Sequence, residues 1–313
     1  MDSKYLLSIV VPIYNAEQYI TKISEQLLGM WDDRMELIFV DDGSTDNSLQ
    51  LLRKRWGVIP QVTIVQQKNG GAPRARNHGL KLAQGEYVWF FDVDDSFEKD
   101  AISIVLNKIE ESHCDLYIGN MKFVPLNAGA RLILPLFHDE ISNDVKSLFL
   151  WDTNPGNKIY KRSIIEDNNV YWSNVKVQQD MNFYLKYIVH CNNVCYLQKI
   201  LYTYKQRENS IATICNRNVL DVVKAVGMVA SYYKTIDVLS VYEKELEYNL
   251  VKHIFYGLGK VKKMALHDKL YSYFYFHGVL GRIDYKNNSL IYNGYGETIE
   301  RYMKLTYIVS ELL

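Results

Sequence analysis

Three carboxylates, Asp92, Asp94 and Asp95, follow directly on the apolar run Tyr87-Val88-Trp89-Phe90-Phe91. Neighbouring like charges raise the cost of ionising one another, and a hard divalent cation relieves that cost by taking oxygen ligands. The cluster therefore points to a metal holding an anionic ligand such as a phosphate. The plainer alternative is a solvated strand-to-helix loop whose last acid caps the next helix. Three other polar segments carry complementary chemistry. Pro12-Ile13-Tyr14-Asn15 offers a ring that can stack on a base. Asp41-Asp42-Gly43-Ser44 offers a carboxylate that can accept from a base N–H. Lys68-Asn69-Gly70-Gly71, followed by Arg74 and Arg76, offers cations for a carbonyl or phosphate. Together these segments suit a nucleoside diphosphate. Singly, each has an ordinary role. Pro12 and Tyr14 can shape a turn, Asp41-Asp42-Gly43 is a common turn sequence, Gly70-Gly71 can serve backbone geometry, and Arg74 and Arg76 can line a solvated helix face.

The four segments can converge only if one sheet presents them at one edge. The first hundred residues alternate in the manner this requires. Leu6 to Val11, Leu37 to Val40, Val62 to Val65 and Glu86 to Phe91 read as short buried strands. Helical patterns lie between them: Glu17 to Met30, a helix capped by Asp46, and one opened by Pro73 that runs to Gln84 with Gly85 as its C′ residue. Such β-α-β alternation predicts an α/β fold with a mostly parallel open sheet and helices on both faces. Ligands bind such sheets at the carboxyl ends of the strands. Further on, the pattern predicts a helix over 98–112, a strand over 115–119, irregular chain over 120–156, helices after Lys161 and over Gln179 to His190, and a strand pair at Val194–Leu197 and Leu201–Tyr204. From Asn218 onward helical patterns dominate. The expected organisation is a mixed α/β unit, made of 1–97 and 98–216, followed by a helical region over 217–313.

Composition narrows the classes. Lys+Arg and Asp+Glu are each 36 in 313 residues, so the formal net charge is zero and there is no basic excess for nucleic acid. The 25 tyrosines against 11 phenylalanines serve as core and interface filler with polar tips. Cys114, Cys191, Cys195 and Cys215 complete no zinc pattern and read as reduced thiols. No apolar run approaches the roughly 18 residues of a membrane span. A cytoplasmic protein is expected. The helical region carries Lys260-Val261-Lys262-Lys263 near Ile254-Phe255-Tyr256, which could rest on the inner face of a plasma membrane as a peripheral contact or join a homo-oligomer. Ordinary helix packing with a solvated basic edge is the preferred account. There is no G-x-G-x-x-G after the first strand and no P-loop, which disfavours dinucleotide-binding and P-loop readings.

The segments Ser8 to Asn15, Val40 to Asp46, Asn69-Gly70-Gly71 with Ala75-Arg76-Asn77-His78-Gly79-Leu80, and Gly85 through Asp95 resemble family 2 glycosyltransferases of the GT-A fold, in the family's order and spacing. A weaker likeness continues through Asn157 to Arg162 and Tyr202 to Ser210. The resemblance implies that Pro12, Tyr14, Asp41, Asn69, Arg76 and Asp92 hold the nucleoside of a UDP-sugar donor. It implies that Asp92 and Asp94 form the Asp-x-Asp motif, which binds the diphosphate through Mn²⁺ or Mg²⁺ with Asp94 as the direct ligand. Arg207 and Ser210 fall where similar enzymes carry a segment that can touch phosphate oxygens; a solvated loop is the alternative. An inverting transfer also needs a base for the acceptor hydroxyl, and the family's Glu-Asp pair corresponds here to Gln179-Asp180. Asp180 is the expected base, with Gln179 in place of the usual Glu; a helix N-terminal acid is its ordinary role. The implied reaction moves a sugar to a hydroxyl of a glycan or lipid-linked acceptor, in the setting of bacterial surface polysaccharide synthesis. A nucleotide-sugar-binding partner of a synthase complex, without transfer, is the alternative. A nucleotidyltransferase is disfavoured, because the loop after the first strand has neither Gly nor Lys.

Overall fold

The structure is a computed structural model that describes residues 3–126, 128–133, 141–142, 144–207 and 215–312; for 141–142 and 305–312 it describes the backbone alone. The chain forms two compact units. The first comprises Met1–Val145, Trp151–Asn174 and Tyr187–Glu208; the second comprises Lys146–Leu150, Val175–Lys186 and Asn209–Leu313.

The first unit opens with the expected alternation: β1 (Tyr5–Ile13), α1 (Glu17–Gly29), β2 (Met35–Asp41), α2 (Ser48–Trp56), β3 (Val62–Gln66), α3 (Ala72–Leu82) and β4 (Gly85–Phe90). β5 (Ser96–Phe97), α4 (Ala101–Ser112), β6 (Leu116–Val124), β7 (Arg131–Ile133) and β8 (Ile141–Ser142) follow. After the short α5 (Val145–Leu148) come β9 (Lys158–Lys161), α6 (Arg162–Asp167), α7 (Gln179–Ile188) and β10 (Val194–Lys205). One sheet runs in the order β3-β2-β1-β4-β9-β6-β10-β5, with β7 beside β6 and β8 beside β10. β1 to β4 pair in parallel, as do β6 and β10, while β9 is antiparallel to both neighbours. Register decides where the polar strand ends fall. Ile13 lies opposite Asp41, and Asp41 opposite Gln66, so the first three strands end in one row. β4 pairs through Phe90 with Val10, and the acidic loop begins just beyond it.

All seven residues of β2 are buried, as expected of a central parallel strand covered on both faces. α3 packs closely on this sheet because residue 79 is glycine: a Cβ there would lie 2.4 Å from Val10 Cγ1. Gly85 has a different task from the helix cap expected of it. It starts β4, and a Cβ would meet the Ser8 nitrogen at 2.6 Å, so the glycine permits close strand approach. Two other expectations need revising. β6 continues to Val124 instead of ending near 119, and Pro125 follows it. Val194–Leu197 and Leu201–Tyr204 are one strand, not a pair. Both halves pair with β6 in the same direction, and the exposed Gln198-Lys199 is absorbed by register shifts instead of a turn.

The second unit is helical: α8 (Asp221–Thr235), α9 (Leu239–Val261), α10 (Leu266–Leu280) and α11 (Ser289–Leu312) follow a 3-10 turn at Arg217–Leu220. Asn249 Nδ2 donates to the Phe149 carbonyl at 2.9 Å, Asn182 Nδ2 to Ala225 at 2.8 Å and the Tyr233 hydroxyl to Leu185 at 2.6 Å. These buried bonds tie segments 146–150 and 175–186 into the helical unit. Ile254 and Val261 are buried, and Phe255 stacks on Tyr295 with ring centroids 5.5 Å apart. That apolar face is thus used in helix packing, while Tyr256 stays exposed with Lys260 Nζ over its ring. No helix among the described residues is long and apolar enough to cross a membrane.

Candidate functional site

The row of strand ends builds a cradle. Asp41, at the end of β2, is fully buried; its Oδ2 accepts from the Ser44 amide at 3.2 Å and from Gln66 Nε2 at 3.0 Å. Its Oδ1 is buried with no hydrogen-bond partner among the described residues. A buried carboxylate oxygen in that state is one donor short. The loop after β1 is knitted to the loop after β2. Asn15, at φ 46°, accepts from the Thr45 amide at 2.8 Å and donates its own amide to Ser44 Oγ at 3.0 Å, and the Ala16 amide donates to Ser48 Oγ at 2.8 Å. Tyr14 remains 53% exposed beside this knot, and Pro12 is half-buried at the end of β1. Asp46 does meet the start of α2, through Oδ1 to the Ser48 amide at 3.0 Å.

Asp42, read from sequence only as turn chemistry, organises the third segment. It accepts from the Gly70 amide at 2.9 Å, the Gly71 amide at 2.7 Å and Gln67 Nε2 at 2.7 Å. This fixes the loop that presents the exposed Asn69. The signal was available, since a second acid one residue past a strand end must face the other way and find donors in the next loop.

Arg76 is buried, and that removes the solvated-face reading. Its NH2 meets Asp92 Oδ1 at 2.6 Å, and its guanidinium carbon lies 4.4 Å from the Trp172 ring centroid. Trp172 is itself clamped: its amide donates to Asn77 Oδ1 at 2.9 Å, and Asn77 Nδ2 returns a bond to its carbonyl at 2.9 Å. Nothing in the sequence marked Trp172, which lies 95 positions from Asn77.

The acidic loop divides its three carboxylates. Asp94 is nine-tenths buried and ion-paired with Arg207; burial and the Asp92 charge push its carboxyl above the usual range despite that partner. Asp95 is neither a solvated loop acid nor the cap of α4, whose N-cap is Asp100. It is buried, accepting from the Lys205 amide at 2.8 Å and from the Tyr202 hydroxyl, which ties the loop to β10. Burial, with the charges of Asp94 and Asp92, pushes it up to about 8. Nearby, Lys22 Nζ and Lys205 Nζ both donate to Ser96 Oγ, at 2.7 and 3.1 Å.

Among the described residues no group of three or more His, Cys, Asp and Glu is arranged as a metal site. Asp92 and Asp94 are two carboxylates on one loop, with Asp95 engaged elsewhere. That donor set suits a Mg²⁺- or Mn²⁺-type ion, which typically takes one or two carboxylates and completes its shell with phosphate oxygens and water.

Asp180 belongs to the second unit. It stands in the first turn of α7, partly exposed, two residues after Gln178 at φ 60°. Gln179 turns back to donate to the Val175 carbonyl at 2.9 Å. A glutamate could not make that bond, so the departure from Glu has a local structural use. Ser210 lies outside the described residues.

Comparison with known proteins agrees with this geometry. GlyG, a glycosyltransferase of Streptococcus pneumoniae serotype 4, is 29% identical over 220 residues, covering 66% of this chain and 72% of its own. Poly(ribitol-phosphate) beta-N-acetylglucosaminyltransferase TarS of Staphylococcus aureus (strain Mu50) is 31% identical over 204 residues, covering 63% of this chain but only 35% of TarS. The crystal structure of S. aureus TarS 1-349 in complex with UDP-GlcNAc shares the fold, with TM-score 0.74 and 23% identity over 98% of this chain and 92% of that one. A more distant fold match is mannosyltransferase PcManGT from Pyrobaculum calidifontis in complex with GDP-Man and Mn²⁺, with TM-score 0.52 and 15% identity over 98% of this chain and 88% of that one. Residues 8–168, more than half of the chain, match the family described as Glycosyl transferase family 2. With the strand-end cradle, the Asp-x-Asp loop and the GT-A sheet in place, the chain belongs to glycosyl transferase family 2.

Proposed function

We propose that this glycosyltransferase is inverting and metal-dependent, and that it moves a sugar from a UDP-sugar to a hydroxyl of a glycan or lipid-linked acceptor in bacterial surface polysaccharide synthesis. The observation that carries the donor assignment is the buried Asp41 Oδ1, one donor short at the end of β2. A uracil ring offers an N–H of the required kind, and the exposed Tyr14 offers a stacking face. Asn69 and Arg76 complete the nucleoside contacts in this assignment, with Pro12 shaping the wall. Support for the donor class comes from TarS, solved with UDP-GlcNAc, and for the polymer setting from the name of that relative.

Asp94, backed by Asp92, would hold Mn²⁺ or Mg²⁺, which when bound supplies positive charge against the departing diphosphate. Arg76 holds Asp92 in place, and Asp95 anchors the loop to β10. Arg207 is assigned to the diphosphate oxygens as a charge-assisted donor. Asp180 is assigned to take the proton of the acceptor hydroxyl as it attacks the anomeric carbon. In this reading 1–97 binds the donor, 98–216 contributes the acceptor side and the base, and 217–313 is a helical region.

The test is a panel of nucleotide sugars scored by Mn²⁺-dependent hydrolysis and thermal shift. A response confined to uridine donors is expected, and silence from every uridine donor would refute the assignment. Asp180→Asn should keep donor binding and lose transfer. Turnover like that of the unaltered protein in this variant would remove Asp180 from the mechanism. UDP binding with no sugar release or transfer to any acceptor would favour the non-catalytic alternative.

A further inference from the structure

The carboxylate that the proposed cation needs already has a cation. Arg207 Nε is ion-paired with Asp94 Oδ2, at the point where β10 leaves the sheet. The guanidinium also lies 5.4 Å from the ring centroid of Tyr19 on α1, a cation–π distance that keeps it over the acidic loop. The partners differ in environment. The Asp94 side chain is 10% exposed and the Arg207 side chain 45%. A nearly buried carboxylate beside the Asp92 charge needs a counter-ion, and Arg207 is placed to be it. Asp92 has a separate partner in Arg76, so the two acids do not share one cation. Asp95, the third acid, is held by Tyr202 and the amide of Lys205, the last residue of β10, two positions before Arg207. The segments leading to the pair are thus joined through Asp95 and Lys205, and the guanidinium is its more exposed partner.

A divalent cation drawn to Asp94 would lie beside the guanidinium already paired with it, and their like charges repel, so the two compete for the carboxylate. We infer that Arg207 is an internal counter-ion which a divalent cation must displace from Asp94, and that the displaced guanidinium is thereby released to the diphosphate. This inference rests on the cation and donor assignments proposed above. It adds a linkage those assignments do not contain. Without nucleotide, Arg207 opposes cation binding. With nucleotide, the phosphates give the displaced arginine a new partner, so cation and nucleotide each tighten the other, and linkage requires the two enhancements to be equal.

The experiment is Mn²⁺ titration of the full chain by calorimetry, with and without saturating UDP, on the unaltered protein and on Arg207→Ala and Arg207→Gln. Arg207→Gln keeps a polar side chain and the first three carbons without the charge, which guards against a packing effect, and thermal melting checks the fold of each. Both variants should bind Mn²⁺ more tightly than the unaltered protein when UDP is absent, by about fivefold or more. Both should show a smaller enhancement of Mn²⁺ binding by UDP. A residue that only positioned the loop would weaken Mn²⁺ binding when removed, so the sign of the change separates the two roles. Unchanged or weaker Mn²⁺ binding in both variants, with the unaltered protein binding Mn²⁺ normally, would overturn the inference alone. Absence of Mn²⁺ binding by the unaltered protein, with and without UDP, would overturn the cation assignment and the inference with it.

Discussion

Replacing Asp41 by asparagine isolates base recognition, because the change alters one atom and little volume. In the native side chain Oδ2 is occupied by the Ser44 amide and Gln66 Nε2, while Oδ1 is buried without a partner among the described residues. A uracil N–H donating to Oδ1 would form a hydrogen bond to a charged group, worth about 1.5–3 kcal/mol. In the variant, the amide oxygen has to take the Oδ2 position, since the opposite flip would set its NH₂ against two donors. The NH₂ then occupies the Oδ1 position and faces the uracil N–H donor to donor. UDP affinity should fall by at least about tenfold, and by about 100-fold at the upper end of that range. CDP should respond in the opposite sense, because the cytosine ring presents an acceptor where uracil presents its N–H. Calorimetric titration of both nucleotides into both proteins, in the presence of Mn²⁺, reads the two effects together. UDP binding to the variant within about threefold of the unaltered protein, a change under 1 kcal/mol, would refute the role given to Asp41.

Three further outcomes are expected. Trp172→Leu removes the ring beneath Arg76 and the edge contact with Phe90; it should lower unfolding stability by about 2–4 kcal/mol in urea titration and weaken UDP binding several-fold. Tyr202→Phe deletes the side-chain donor to the buried Asp95 and should cost about 1–3 kcal/mol, read as a lower thermal midpoint, with no cavity left to confuse the reading. His253 carries a pH dependence. Burial, reinforced by the Lys252 charge, pulls its imidazole from 6.5 down to about 3, and its Nε2 is buried without a partner among the described residues. Below the ordinary value the unfolded chain takes the proton and the folded chain does not. Stability present above about pH 6.5 is therefore lost on acidification toward pH 3, at about 1.4 kcal/mol per pH unit, and His253→Leu should flatten that slope in urea midpoints measured across the range.

The first four strands and their polar ends were legible in sequence because their determinants are local. Strands buried on both faces announce themselves as short apolar runs, and the residues just past each run are the ones the sheet collects at its edge. Hence the strand-end positions of Tyr14, Asp41, Asn69, Asp92 and Asp94 could be named before any coordinates. Gly85 was misread because a helix cap and a close strand contact both ask for glycine, and only the neighbouring strand distinguishes them. The Gln198-Lys199 interruption was misread as a turn because a bulge and a turn look alike until the pairing partner is known.

Sequence alone determined the family-level pattern: four strand ends with the right chemistry, an Asp-x-Asp loop and a single acid at Asp180. Tertiary structure decided which partner each of those groups has. It put Arg76 between Asp92 and Trp172, gave Asp42 to the Gly70-Gly71 loop, tied Asp95 to Tyr202 and Lys205, and placed Arg207 on Asp94. These pairings join residues 16 to 113 positions apart. Local pattern carries a residue's own propensity and exposure, whereas the charge, donor or ring that meets it across such a distance is set by strand register and helix packing.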